Sequence, residues 1–265
     1  MRRSSLLSLV TLGLLVSGCA SSAPAATNRP SLSPTSAAGS PVTATPGGVP
    51  LLTEGPITPG TYAVAGGRYG WAQCEFPPPT GCPQEPAHAS TMLMEITIPD
   101  GWVAPAGSGG TVIAPEGPGA TQGPDGAGIV VRWSGLTTGL HSDPCLPVSH
   151  LPTDIAVGVT VDDFVDAVIA HPELEISEPV DTELDGYPGR FFKLTGPSDI
   201  SDCDNWRPWE PGIYVQGPSN LWGVWTIDVD GLRVILLAEE FAGTPAEVKR
   251  QLREMIESIH FVPTP

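Results

Sequence analysis

Apolar and polar residues alternate with the period of a β-strand in several stretches of the chain. The clearest stretch is 91–99, where one face carries Met92, Met94, Ile96 and Ile98. A Pro-Asp-Gly turn signal ends this run at 99–101. Shorter β-prone runs predict further strands at 61–64, 111–113, 128–133, 174–176, 179–184, 187–195, 213–215, 221–229, 232–239 and 261–262.

Two Asp-Gly pairs, at 185–186 and 230–231, each join two of these runs. An Asp-Gly pair between β-prone runs is a strong signal for a two-residue hairpin turn, because both positions tolerate positive φ angles. The pattern therefore predicts two antiparallel β-hairpins in the second half of the chain. Within the run 221–229, Trp222 and Trp225 are predicted on opposite faces of the strand by their spacing.

A helical period replaces the strand period after Thr160. Asp163 follows Thr160 by three residues, which is the spacing of a capping box. The His171-Pro172 pair predicts where this helix ends, since the residue before proline avoids the helical conformation. The face predicted to be buried carries Phe164, Val165, Val168 and Ile169.

A second helix is predicted near the C-terminus. Thr244 is in position to cap it, with Pro245 in the first turn and Glu247 three residues after the cap. Its buried stripe is predicted to carry Val248, Leu252, Met255, Ile256 and Ile259. Runs of antiparallel strands with two helices predict an α+β fold, an antiparallel β-sheet with both helices packed on one face.

The N-terminal stretch indicates where the protein resides. Arg2 and Arg3 precede an apolar run at 6–16, which is too short to span a bilayer as a helix of about 20 residues and is typical of a secretory signal. The run ends in Val16-Ser17-Gly18-Cys19, which resembles the bacterial lipobox. That resemblance implies a diacylglyceryl-modified Cys19 on the extracytoplasmic face of the cell membrane. The alternative is cleavage near Ala23, which would discard Cys19.

Composition divides the chain into three parts. Residues 1–18 are the predicted signal peptide, and 19–50 are the lipidated cysteine with a linker of mainly Ser, Thr, Ala, Pro and Gly that cannot bury a core. Residues 51–265 remain for a single α+β domain.

The formal net charge is −17 and the only lysines are Lys193 and Lys249, which excludes a nucleic-acid partner because such a surface repels phosphate.

Four cysteines remain beside Cys19, and an even number in an exported protein favours disulfide bonds. Four cysteines allow three connectivities. The short spacing between Cys74 and Cys82 favours a local bond, which leaves Cys145 to pair with Cys203. No C-x-x-C pair is present and the histidines are scattered, so neither a metal nor a cofactor is expected.

The second half of the chain resembles a known group of proteins. The resemblance is carried by Val161-Asp162-Asp163-Phe164-Val165, by the turn Asp185-Gly186-Tyr187-Pro188, by Ile227-Asp228-Val229-Asp230-Gly231 and by the closing helix up to Ser258-Ile259. These features are similar to those of a family of secreted actinobacterial lipoproteins, mostly uncharacterised, and of the PsbP-like fold. The resemblance covers about 91–262. It implies the fold and brings no catalytic residues.

Candidate chemistry is sparse. The G-x-S-x-G pattern of a serine nucleophile is absent, and the Asp-rich loop at 199–205 lacks the glycine that assists calcium-binding turns. Aromatic residues in a loop are common recognition anchors. A candidate binding surface therefore comprises Trp206, Trp209, Arg207, Asp202 and His141, brought together by a bond between Cys145 and Cys203. The alternative is that the tryptophans form a lid over the sheet.

These features together predict a membrane-anchored extracytoplasmic lipoprotein that acts as a non-enzymatic binding or accessory module of the cell envelope. Its partners would be the membrane, through the lipid, and an envelope glycan, lipid or protein. Two alternatives stay open. One is a cell-envelope hydrolase with an unrecognised site, and the other is a purely structural envelope component.

Overall fold

A computed structural model describes residues 48–65, 93–105, 112–117, 127–133, 139–146, 153–210 and 217–262, all of which belong to one compact unit. The strands are β1 (Gly55–Pro56), β2 (Gly60–Ala65), β3 (Leu93–Ile98), β4 (Trp102–Ala104), β5 (Val112–Pro115), β6 (Ala127–Trp133), β7 (Gly139–Leu140), β8 (Cys145–Leu146), β9 (Ile155–Ala156), β10 (Glu175–Ile176), β11 (Val180–Leu184), β12 (Tyr187–Thr195), β13 (Asn205–Trp206), β14 (Trp209–Glu210), β15 (Leu221–Val229), β16 (Leu232–Glu240) and β17 (His260–Val262). The helices are α1 (Val161–Ala170) and α2 (Ala246–Glu257).

The largest sheet runs in the order β1-β4-β5-β6-β16-β15-β12-β10, and β11 continues the β10 edge by pairing with β12. All of these pairs are antiparallel. The two predicted hairpins are confirmed as β11–β12 and β15–β16. Asp185 and Gly186 have φ angles of 53° and 82°, and Asp230 and Gly231 have 53° and 81°, the positive pair that a two-residue turn matching the strand twist requires.

A second sheet, β17-β3-β2, covers one face of the large sheet together with α2. The alternation predicted for β3 is confirmed, because Met94, Ile96 and Ile98 are buried. They share one apolar cluster with Leu252 of α2 and with residues of β15 and β16. We call this side of the large sheet the α2 face. The short strand predicted at 261–262 is confirmed as β17, an edge strand beside β3.

The opposite face of the large sheet is covered by α1 and by short segments of the chain around Cys145 and Cys203. Phe164, Val165 and Val168 of α1 are buried in a separate cluster with Phe192 of β12 and Trp222 of β15. We call this side the α1 face. The capping box predicted for α1 is confirmed, because the Asp163 N–H donates to the Thr160 hydroxyl and the Thr160 N–H donates to the Asp163 carboxylate.

The prediction that both helices pack on one face is wrong, whereas the α+β class with antiparallel sheets and two helices is confirmed. Along β16, Val234 and Leu236 belong to the α2 cluster, while Ile235 and Leu237 belong to the α1 cluster. Alternate residues of a strand point to opposite faces. The two helices therefore lie on opposite faces of the large sheet, and β16 is buried on both sides.

Two details of the predicted helices are also wrong. Ile169 is predicted on the buried face of α1 but is 54% exposed, because the stripe that faces the sheet is narrower than predicted and is carried by Phe164, Val165 and Val168. The cap of α2 lies one residue later than predicted, at Pro245, whose carbonyl accepts from the Lys249 N–H. The Thr244 hydroxyl instead accepts from the Phe241 N–H at 2.9 Å and closes the preceding turn.

Several predictions fall outside the described residues. These are the signal peptide, Cys19 and most of the linker, the Cys74–Cys82 pair, and the strand at 213–215.

Arg233 of β16 links the start of α1 to the large sheet through hydrogen bonds and a ring contact. It is 2% exposed, its guanidinium donates at 2.7 Å to the carbonyls of Gly158 and Thr160, and it lies 5.3 Å from the centre of the Phe164 ring. Burial lowers its pKa to about 10, and the charge of Asp163 opposes that shift. The guanidinium remains charged at neutral pH and donates to two carbonyls of the segment that leads into the helix.

We expect Arg233→Met to lower the free energy of unfolding by about 2–4 kcal/mol, because the carbonyls of Gly158 and Thr160 lose a charged donor that is itself buried. Urea unfolding followed by circular dichroism measures this loss. Arg253→Met, on the exposed side of α2, is the matched control for the change in net charge. Equal stabilities of the two variants would show that the contacts of Arg233 contribute nothing to stability.

Candidate functional site

The segments that cover the α1 face together with α1 form a small structure of their own. We call residues 139–146, 153–158 and 199–210 the disulfide cap. Its strands pair antiparallel in three short ladders, β7–β9, β14–β7 and β13–β8. In these ladders Trp209 lies opposite Leu140, and Trp206 lies opposite Cys145. Segments far apart in sequence therefore meet in one layer above the sheet.

A covalent bond joins the two halves of the disulfide cap. Cys145 and Cys203 form a disulfide across 58 residues, with 5.0 Å between their Cα atoms. This is the long-range pairing that the sequence favoured. Backbone hydrogen bonds reinforce it, from the Arg207 N–H to the Pro144 carbonyl at 2.7 Å and from the His141 N–H to the carbonyl at position 208 at 3.0 Å.

The polar side chains of the disulfide cap hold its own backbone. Asp154 accepts from both the hydroxyl and the N–H of Ser142, and these hydrogen bonds lower the pKa of the Asp154 carboxyl. Asp143 accepts from the Cys145 N–H at 2.9 Å. These two carboxylates therefore stabilise the conformation of the loop that carries Cys145.

A histidine at the end of α1 connects the helix to the disulfide cap. The Nδ1 of His171 accepts from the Glu173 N–H at 3.2 Å, so the proton of the neutral ring lies on Nε2. That Nε2 donates to the His141 carbonyl at 2.7 Å. Since His171 is buried and both of its ring nitrogens are engaged, it acts as a structural link.

The predicted exposed tryptophan surface is wrong. Trp209 is 0% exposed, Trp206 is 4% exposed and His141 is also buried. The Trp209 ring packs edge-on against Phe164, with 5.3 Å between ring centres. The disulfide and the ladders fold the loop back onto α1, so the apolar rings are removed from water, and the alternative of a lid describes the arrangement better.

The remaining members of the candidate surface differ in exposure. Asp202 is exposed and Arg207 is half-buried. Trp222 and Trp225 lie on opposite faces of β15, as their spacing predicted, with Trp222 in the α1 cluster and Trp225 packed against the α2 cluster. Trp225 therefore cannot add to a surface on the side of the disulfide cap.

Sequence reasoning missed a buried carboxyl on the α1 face. Glu239 of β16 is 1% exposed, lies opposite Trp222 of β15, and accepts a hydrogen bond from the Asn220 amide. Burial raises its pKa to about 8, and the hydrogen bond from Asn220 partly offsets that shift. Its spacing in the sequence could have indicated this burial, because Glu239 lies on the same face of β16 as Ile235 and Leu237.

A raised carboxyl pKa is also a property of general acids. Glu239, however, is almost completely removed from solvent and accepts from the Asn220 amide in this conformation. Within the described ranges, His, Cys, Asp and Glu side chains nowhere gather in threes with a geometry that could hold a metal ion.

Neither helix in the described part of the chain has the length and apolar character needed to cross a bilayer.

Comparison with protein-family models finds no match, and comparison with curated proteins finds none. Among solved structures, the chain is similar to LpqN of Mycobacterium tuberculosis, described as involved in cell envelope biogenesis, at 11% identity and a TM-score of 0.36, over 65% of this chain and 84% of that one. It is also similar to the cyanobacterial PsbP of Synechocystis sp. PCC 6803, at 11% identity and a TM-score of 0.30, over 78% and 95%.

Proposed function

We propose that this protein is a lipoprotein anchored on the extracytoplasmic face of the cell membrane, with a domain that acts as a non-enzymatic binding or accessory module of the envelope. The observation that carries the proposal is the apolar run at 6–16 followed by Val16-Ser17-Gly18-Cys19. Two acyl chains on Cys19 anchor a protein stably, whereas one chain holds it only marginally.

The domain supplies further support. A long-range disulfide between Cys145 and Cys203 suits an oxidising compartment outside the cytoplasm. Asp154 holds the backbone of the disulfide cap, and His171 at the end of α1 holds the His141 carbonyl, which favours a structural and binding role over catalysis. The resemblance at 161–165 and 185–188 adds the finer proposal of a PsbP-like domain from an actinobacterial lipoprotein.

Cys19→Ala tests the anchor. We expect the wild-type chain to stay with the membrane fraction and to carry the added mass of a diacylglyceryl group, whereas Cys19→Ala carries none, because the thiol is the site of attachment. Intact mass spectrometry of membrane-extracted protein measures this difference. Ser17→Ala keeps a small residue before the cysteine and is the matched control, which should remain lipidated. An unmodified wild-type N-terminus downstream of Cys19 would eliminate the proposal.

A further inference from the structure

The edge of the large sheet formed by β11 carries two different surfaces. In the described part of the chain β12 is the one strand that pairs with β11, so the outer backbone groups of 180–184 face away from the sheet. Such an edge is a template on which another extended segment can add as a strand. The residues along β11 decide what kind of segment would fit.

One side of this edge is acidic. Asp181 lies opposite Arg190, whose guanidinium also approaches Asp162 of α1 at 3.5 Å, so Asp181 and Glu183 point to the α1 face. The Asp181 carboxylate is 91% exposed even though it contacts Arg190 at 2.6 Å. No Lys or Arg occurs between 173 and 189. The exposed acids from 173 to 184 are Glu173, Glu175, Glu178, Asp181 and Glu183, of which Asp181 and Glu183 lie on this side of β11.

The other side of the edge is apolar. Val180 lies opposite Phe191, and Phe191 lies opposite Trp225, which makes a continuous row on the α2 face. The two rings are 4.7 Å apart and both are half-buried, and Val180 is 52% exposed. This row starts at the open edge, where an added strand would lie directly beside Val180.

We propose that β11 is a docking edge for an extended segment of a partner protein in which basic and apolar residues alternate. Its basic side chains would meet Asp181 and Glu183, and its apolar side chains would cover Val180 and the neighbouring ring. A second copy of this chain fits poorly, because its own β11 would place acids against acids. This inference deepens the proposed binding role by naming the chemistry of the partner.

The irregular segment 177–179 that precedes β11 limits the length of this docking edge. The N–H of Ser177 donates to the Lys193 carbonyl at 2.9 Å, and the N–H of Lys193 donates to the Ser177 hydroxyl instead of to a strand carbonyl. The regular ladder therefore covers only 180–184, where five pairs join β11 to β12. The added segment would be about five residues long in its paired part.

The test uses the full chain and the peptide acetyl-Lys-Val-Lys-Val-Lys-Val-Lys-amide. We expect saturable binding and slowed hydrogen exchange of the amides of 180–184, because main-chain hydrogen bonds form there. A peptide with the same composition but with four Lys before three Val, and one with Glu in place of Lys, should bind at least about tenfold more weakly, since pattern and charge both contribute.

Charge reversal on the protein completes the test. Asp181→Lys with Glu183→Lys should weaken binding about tenfold or more. Asp100→Lys with Glu116→Lys makes the same change in net charge on exposed sites at the opposite end of the sheet and should bind like wild type. Circular dichroism checks that both variants fold. If one does not, protection of the amides of 180–184 in the wild-type chain tests the docking edge without it.

Three results would overturn the docking edge. These are equal binding of the patterned and block peptides, equal weakening by both double variants, and binding without protection of the amides of 180–184. Dimers of the chain that form through this edge at assay concentrations would assign it to a second copy instead. Each result leaves the mass of the lipidated N-terminus unchanged, so failure here is distinct from failure of the anchor.

Discussion

Replacing both Cys145 and Cys203 by Ser is expected to lower the free energy of unfolding by about 4 kcal/mol, the chain-entropy value for a closed loop of this length. The bond spans 58 residues and is the covalent link between the two halves of the disulfide cap. In the oxidised protein this link restricts the unfolded chain, and it also holds the strand that carries Trp206 against the one that carries Cys145.

Urea unfolding at a fixed pH, followed by tryptophan fluorescence, measures this loss. We also expect the emission of the folded double variant to shift to longer wavelength, because the buried rings of Trp206 and Trp209 gain contact with water as the disulfide cap loosens. Ser201→Ala is the control, since it changes an exposed side chain in the same loop and keeps the bond. A double variant as stable as this control would show that the bond does not stabilise the domain.

Glu239→Gln is expected to remove much of the pH dependence of stability between about pH 5 and pH 8. Burial raises the pKa of Glu239 to about 8 in the folded chain from an ordinary value of 4.5. Below pH 4.5 the folded and the unfolded chain both hold the proton of Glu239, and the contribution of this carboxyl to stability is fully present. As the pH rises, the unfolded chain releases the proton first, so stability falls, on the order of a few kcal/mol by pH 8.

Urea unfolding at pH 5, 6, 7 and 8 tests this slope. The wild-type chain should lose stability relative to Glu239→Gln as the pH rises, because the amide carries no proton to release. Glu257→Gln, on the exposed end of α2, should keep the wild-type slope. If Glu239→Gln keeps the wild-type slope as well, the buried carboxyl does not bind its proton more tightly in the folded chain.

The features that were predicted correctly are local ones. The turns at 185–186 and 230–231 need two positive φ angles in succession, which Asp-Gly supplies at little cost. The capping box joins Thr160 to Asp163, three residues away. The buried face of β3 follows from a period of two, and the stripe of α2 from a period of 3.6. In each case the residues that determine the structure are neighbours in sequence.

The errors concern which surfaces meet. The run 232–239 is apolar throughout, a pattern typical of a strand covered on both faces, yet it does not tell which helix covers which face. The burial of Trp206 and Trp209 depends on ladders to segments some 60 residues earlier in the chain. A loop that looks exposed in sequence becomes part of the core once a distant bond and α1 close over it.

The sequence by itself determined the positions of the longer strands and of both helices, the acidic surface, the even set of cysteines and the lipobox-like N-terminus, because each is a property of composition or short-range period. Only the tertiary structure decided that the helices lie on opposite faces, that Glu239 is buried, and that the open edge is β11. These features depend on contacts between residues far apart in the chain, and the free energies of such contacts cannot be inferred from a local sequence pattern.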